Sequence, residues 1–231
     1  MLIYSMLRDL AYLFFPIHCA ACDSPLYQNE RVLCTSCRHE LPLGNFHKVN
    51  AKKIKKVFYG RSKVEHTTSL FIFEKDSLVQ NLIHNLKYRG QENIGKELGN
   101  WLGKELSETP VYKSIDTVIP VPLHPKRLRE RGFNQVEKFG KEIAKNLDAE
   151  YIDSVLKKKS YNKKQSKHGR FSRWINTSET FDIQNASLLQ NKHILIVDDI
   201  ITTGATLEAC INVLKSIPGI RISIATMAMT V

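Results

Sequence analysis

Ile194-Leu-Ile-Val-Asp-Asp-Ile-Ile-Thr-Thr-Gly-Ala-Thr206 is the stretch that decides the fold of this chain. Its first four residues form an unbroken apolar run, the pattern of a strand covered on both faces. Two adjacent carboxylates, Asp198 and Asp199, follow at the carboxyl end of that strand, where open α/β sheets bind ligands. A turn containing Thr202, Thr203 and Gly204 then leads through Ala205 into a helix expected from about Thr206 to Ser216. Backbone N–H groups of the turn, the threonine hydroxyls and the helix dipole together make a cradle for an anion. Acids beside such a cradle suit a ligand with both hydroxyls and a phosphate, because carboxylates accept hydrogen bonds from a ribose diol. The plain alternative is a strand–turn–helix joint capped by polar residues.

Outward from this run, the chain alternates strand and helix patterns. Asp116 to Leu123 reads as a strand, with Pro120 and Pro122 marking where ladder pairing stops. A basic loop and a helix from about Asn134 to Leu147 come next. Upstream, Leu78, Val79, Leu82, Ile83 and Leu86 recur at helical spacing until Tyr88-Arg89-Gly90. A second helix is expected from Asn93 to Leu106. Val57 to Phe73 is rich in β-branched and aromatic residues around Gly60 and predicts a β-hairpin. A last strand is expected near Arg221 to Met229. The alternation implies an α/β fold, a mainly parallel sheet with helices on both faces. Lys157 to Arg173 is strongly basic, contains no acidic residue, and reads as a mobile loop.

Four of the five cysteines fall as Cys19-Ala-Ala-Cys22 and Cys34-Thr-Ser-Cys37. Two such knuckles can close a tetrahedral Zn²⁺ shell of four sulfurs, a structural rather than catalytic arrangement. A disulfide pair and a redox CxxC are the alternatives, and His18 and His39 flank the knuckles as substitute ligands. Cys210, alone in a helical pattern, is expected as a buried thiol. The segment from Met1 to Ile17 is apolar but interrupted by Arg8 and Asp9, and its apolar stretches are too short to span a membrane. It is expected as an amphipathic helix docked on the following domain, with membrane contact as the alternative. No export signal is recognised, so a cytoplasmic location is expected.

The chain has 231 residues, of which 42% are hydrophobic and 25% charged, so global disorder is excluded. The boundaries expected are 1–45 for the N-terminal helix and zinc module, 46–75 for a basic linker and hairpin, and 76–231 for the main domain. A net charge of +11 points to a polyanionic partner: nucleic acid, a phosphorylated ligand or an acidic membrane surface. Lys52, Lys53, Lys55, Lys56, Lys163 and Arg170 are candidates for a phosphate backbone, with Phe58, Tyr59, Tyr161, Phe171 and Trp174 available to stack bases.

The run from Ile194 to Thr206 closely resembles the phosphoribosyl pyrophosphate (PRPP) signature of type I phosphoribosyltransferases. By that likeness Asp198 and Asp199 would contact the ribose hydroxyls. Thr202, Thr203, Gly204, Ala205 and Thr206 would hold the 5′-phosphate. Val118 to Gln135 lies where that fold keeps its first strand and pyrophosphate loop, which assigns Pro122, Leu123, His124, Lys126, Arg127 and Arg131 to pyrophosphate. Lys157 to Arg173 lies where it keeps a catalytic loop, with Lys164 and Lys167 as cations for the leaving group. Mg²⁺ would arrive chelated by PRPP. The chain as a whole resembles the competence protein F (ComF) family, through the CxxC pair, Leu86-Lys-Tyr-Arg-Gly90, Val121-Pro-Leu-His124, Arg131-Gly-Phe-Asn-Gln135 and the PRPP signature. The resemblance implies a role in uptake or processing of transforming single-stranded DNA, with DNA or the uptake machinery as partner. A glutamine-using transferase needs an N-terminal cysteine nucleophile, whereas this chain begins Met1-Leu2-Ile3, so no glutaminase activity is expected. Two functions stay open: transfer of a phosphoribosyl group with release of pyrophosphate, or non-catalytic, PRPP-responsive binding of nucleic acid.

Overall fold

A computed structural model of the chain describes residues 15–27, 29–49, 51–158 and 181–230. In chain order the helices are α1 (Thr35–Glu40), α2 (Ala51–Val57), α3 (Leu78–Tyr88), α4 (Asn93–Ser107), α5 (Pro125–Arg131), α6 (Glu137–Leu147) and α7 (Ala205–Leu214). The strands are β1 (Thr67–Phe73), β2 (Thr117–Pro120), β3 (Glu150–Tyr151), β4 (Leu156–Lys158), β5 (Phe181–Ile183), β6 (His193–Ile201) and β7 (Arg221–Thr230). Five of them form one sheet in the order β1-β7-β6-β2-β3. All four pairings are parallel. β4 and β5 pair antiparallel beside it.

Successive strand residues point to opposite faces, so one strand feeds two cores. On β6, Leu195 and Val197 join a cluster with Leu82 and Leu86 of α3, Leu98 of α4 and Phe139 of α6. Ile194 and Ile196 join a second cluster with Ile54 of α2 and Leu207 and Cys210 of α7. The sheet is therefore covered on both faces, as the apolar run at 194–197 requires, and Cys210 is buried as expected. On the first face α4 approaches α6 closely. A Cβ at Gly99 would stand 2.5 Å from the Phe139 carbonyl oxygen, so only glycine permits that contact.

The four-cysteine module packs on this first face. Cys19, Leu26, Leu33 and Cys37 are buried in the same cluster as α3 and α4. Asn81 Nδ2 donates to the Ala21 carbonyl at 2.9 Å, and Asn85 Nδ2 to the Ala20 carbonyl at 2.8 Å, so α3 grips the first knuckle. Arg38 of α1 pairs with Glu97 at 2.7 Å and lies over the Trp101 ring, both on α4.

The structure departs from the expected elements in three places. Val57 to Phe73 is not a hairpin: α2 ends at Val57, and β1 is an edge strand paired in parallel with β7. The local composition is that of a strand, but its partner lies more than 150 residues away, as the pairing of Thr67 with Ile224 shows. The basic loop after β2 contains the helix α5, begun by Pro125 and ended at Gly132 with φ +83°. Finally, β6 continues past Val197 through both aspartates to Ile201, because Ile200 and Ile201 keep pairing with Ala228 and Met229 of β7. The N-terminal segment 1–14 lies outside the described residues. Among those described, no helix is long and apolar enough to cross a membrane.

Candidate functional site

Strand alternation sends Asp198 and Asp199 to opposite faces of β6, and both are nearly buried. Asp199 faces α3 and α6. Its Oδ2 lies 2.8 Å from Lys87 Nζ at the end of α3 and accepts a hydrogen bond from Gln135 Nε2 at 2.7 Å. Gln135 in turn accepts from Arg131 of α5, whose guanidinium lies over the Tyr88 ring at 5.6 Å. Asp198 faces the other side, and its Oδ1 accepts from the Asp199 backbone N–H at 2.8 Å. Burial, and then the Asp199 charge, push the Asp198 carboxyl up to about 8. Two neighbouring acids are thus set apart, one ion-paired and one inclined to keep its proton.

Beyond Ile201 the chain turns through Thr202 and Thr203 to Gly204, at φ +75°, which opens α7 at Ala205, with Thr206 in its first turn. The left-handed conformation reverses the chain in minimum space and suits glycine. A side chain there would also collide with α2, since its Cβ would lie 2.7 Å from Val57 Cγ1. Arg61 braces the turn. It donates to the Thr203 carbonyl at 3.0 Å and pairs with Glu208 of α7 at 2.9 Å. The Thr203 hydroxyl caps locally, accepting from the Ala205 N–H at 3.4 Å.

The loop leaving β2 runs alongside, since Val121 N–H bonds to the Val197 carbonyl and Asn134 Nδ2 holds the Val121 carbonyl at 3.0 Å. Pro122, Leu123 and His124 make this loop, and the His124 ring caps α5 by accepting from the Lys126 N–H at 3.1 Å. Lys126, Arg127 and Arg131 lie on α5. The acids, the glycine turn and this loop therefore meet at the carboxyl edge of the sheet. Lys53, Lys55 and Lys56 are exposed on α2, which adjoins the glycine turn from its other side. Lys55 is engaged, donating to the Glu65 carbonyl at 3.1 Å. Lys163, Lys164, Lys167 and Arg170, with Tyr161, Phe171 and Trp174, lie outside the described residues, as does the Lys52 side chain. Lys87, Tyr88 and Gln135 carry no site signal of their own in the sequence beyond the short motifs 86–90 and 131–135, which no local pattern connects to Asp199.

The sulfurs of Cys19, Cys22, Cys34 and Cys37 all lie within 4.8 Å of one another. Cys22 and Cys34 are 3.7 Å apart, close to the edge of about 3.8 Å in a tetrahedron with metal–sulfur bonds of about 2.3 Å. The Ser24 hydroxyl and backbone N–H pull the Cys22 thiol down to about 6, while burial pushes Cys34 and Cys37 up. Neither flanking histidine joins the set, and His18 Nδ1 bonds to the Asp23 carbonyl instead. The four thiols form a site that fits a metal ion held entirely by sulfur.

The sheet, the acids and the turn have the arrangement of the type I phosphoribosyltransferase fold, and residues 137–229 match the family described as "Phosphoribosyl transferase domain". Outside that match the chain carries the four-cysteine module, and it is similar to proteins named for competence and DNA utilization. It is 32% identical to "Competence protein ComFC" of Streptococcus pneumoniae over 59% of this chain and 57% of that protein. It is 28% identical to "DNA utilization protein YhgH" of Escherichia coli O157:H7 over 54% of this chain and 56% of that protein. A solved glutamine PRPP amidotransferase from B. subtilis aligns over 61% of this chain and 30% of its own, at 16% identity and a TM-score of 0.42. The chain thus spans a little over half the length of the curated relatives it matches.

Proposed function

We propose that the chain binds PRPP at the carboxyl edge of its sheet and transfers the phosphoribosyl group with release of pyrophosphate. The observation that carries this reading is the sequence of buried Asp198 and Asp199, then a left-handed Gly204, then the N-terminus of α7. The N–H groups from Thr202 to Thr206 suit a 5′-phosphate. Asp199 would accept from a ribose hydroxyl, and a protonated Asp198 would donate to one. The β2–α5 loop, with Lys126, Arg127 and Arg131, supplies charge to the pyrophosphate. In the reaction the C1–O bond breaks, pyrophosphate leaves with the electron pair, and a nitrogen nucleophile forms the new bond to C1. Positioning and charge stabilisation carry such a step, so no residue need become covalently attached. Mg²⁺ would arrive chelated by the phosphate oxygens of PRPP, with few direct protein ligands, and would supply charge neutralisation there. In the N-terminal module the four thiolates would hold Zn²⁺ as a structural ion.

Calorimetric titration with PRPP and Mg²⁺ tests this reading. The parent should bind saturably, and an Asp198→Asn/Asp199→Asn variant that still folds should not. No binding by the parent would overturn it. A second reading, single-stranded nucleic acid as partner, is favoured by α2, which meets the glycine turn through Val57 and carries the exposed Lys53 and Lys56. It also agrees with relatives named for competence and DNA utilization.

A further inference from the structure

Lys87 stands where the ribose side of the site meets a cationic cleft. It is the penultimate residue of α3, with its Nζ 2.8 Å from Asp199 Oδ2. The same lysine lines a cleft of about 330 Å³ shared with Tyr88, Arg127, Glu130, Arg131 and Phe133. Three cations there face one acid, and Glu130 also lies 3.8 Å from Lys126. Arg127 and Arg131 belong to α5, the helix that the β2 loop delivers beside the acids. An ammonium has three donors, so contact with Asp199 leaves others for a second anion. The neighbouring Gln135 already shares Oδ2, so Asp199 does not depend on Lys87 alone for its placement.

We propose that Lys87 is a further pyrophosphate-binding residue, carrying positive charge from Asp199 to the pyrophosphate of PRPP. This rests on the PRPP reading above. One side chain then links the acid that meets the ribose to the cleft that meets the leaving group. The alternative is a positioning residue that merely steadies Asp199, and the two roles predict different ligand dependence.

The test titrates the parent, Lys87→Gln and Lys87→Arg with PRPP·Mg²⁺ and, separately, with ribose 5-phosphate, which keeps the diol and the 5′-phosphate but lacks pyrophosphate. Lys87→Gln should weaken PRPP about tenfold to a hundredfold, the range for one charge-assisted hydrogen bond, and leave ribose 5-phosphate within about twofold. Lys87→Arg should recover most of the loss. Equal weakening of both ligands, or no weakening of either, overturns the proposal while leaving the PRPP reading intact. A parent that binds neither ligand removes both. Should Lys87→Gln not fold, lysine acetylation of the parent read by mass spectrometry decides. Lys87 should be shielded more by PRPP·Mg²⁺ than by ribose 5-phosphate, and equal shielding counts against the assignment.

Discussion

Gly204 combines a φ of +75° with a Cβ position 2.7 Å from Val57 Cγ1 and 3.3 Å from the Phe58 ring. Gly204→Ala should therefore cost about 1–3 kcal/mol. For a chain of this size that lowers the melting temperature by about 2–4 °C per kcal/mol, readable by calorimetry. PRPP binding should fall with it, because the turn that offers the N–H groups must shift. At Asp198 the expectation concerns pH. Its carboxyl is pushed up to about 8, by burial first and the Asp199 charge second, whereas the unfolded chain releases that proton near 3.8. Between those values the folded state holds one proton more, so the stabilising contribution is complete below about 4 and is lost as pH rises through about 8. Asp198→Asn keeps an Oδ1 for the Asp199 N–H and has no proton to lose. Its melting temperature should gain on that of the parent between pH 5 and pH 8, and a constant difference across that range would refute the assignment. These residues were legible because they sit in one run whose order is itself the site. Lys87 and Gln135 were not, since they reach Asp199 from sequence distances of 112 and 64 residues through packing that no local pattern encodes.

Helix α3 joins the metal module to the ligand site. Ser77 caps its start by accepting from the Gln80 N–H at 3.3 Å, and Val79, Leu82, Ile83 and Leu86 bury its inner face. Asn81 and Asn85 hold the carbonyls of the first knuckle, and Lys87 on the last turn meets Asp199. Stripping the metal with a chelator should release the first knuckle from α3 and α1 from α4. Trp101 reports on the second event, because Arg38 of α1 lies 4.6 Å from its ring centroid while Phe71 packs edge-on at 5.7 Å. In a Trp174→Phe background, the emission should shift to the red on chelation and return when Zn²⁺ is restored. An unchanged spectrum would show that the four thiols hold the module together without metal. The helical elements were readable from their apolar spacing, as at 78–88. The 57–73 segment was not, for two physical reasons. Ile54 and Phe58 are spaced as helix neighbours and bury together in the second core, continuing the helical pattern into residues that read as β-rich. The strand that follows earns its place by pairing with β7 across most of the chain, a non-local choice.

At the scale of the whole molecule, the parallel order β1-β7-β6-β2-β3 puts the glycine turn after β6 and the basic loop after β2 on the same edge. The parallel class was legible from the strand–helix alternation, but the order was not, because strand neighbours are fixed by crossovers. In the same arrangement α2 lies against the glycine turn, so the most basic described helix borders that turn. The surplus of +11 can then act in two separable ways. A compact PRPP·Mg²⁺ site involves few exposed charges, so its affinity should change little with added salt. A single strand tracked along α2 would release counterions, with a slope of log affinity against log salt of about −0.7 per phosphate contacted. Replacing Lys53 and Lys56 by Gln removes two exposed cations of α2, which packs on the face of the sheet opposite to α3. It should flatten the salt slope for a single-stranded oligonucleotide by about 1.4 while leaving PRPP titration unchanged, both measured by fluorescence anisotropy and calorimetry on the same preparation. An unaltered slope would place the strand elsewhere on the surface. A parallel loss of PRPP affinity would mean that α2 serves the small ligand, making one site of what the geometry keeps as two neighbours.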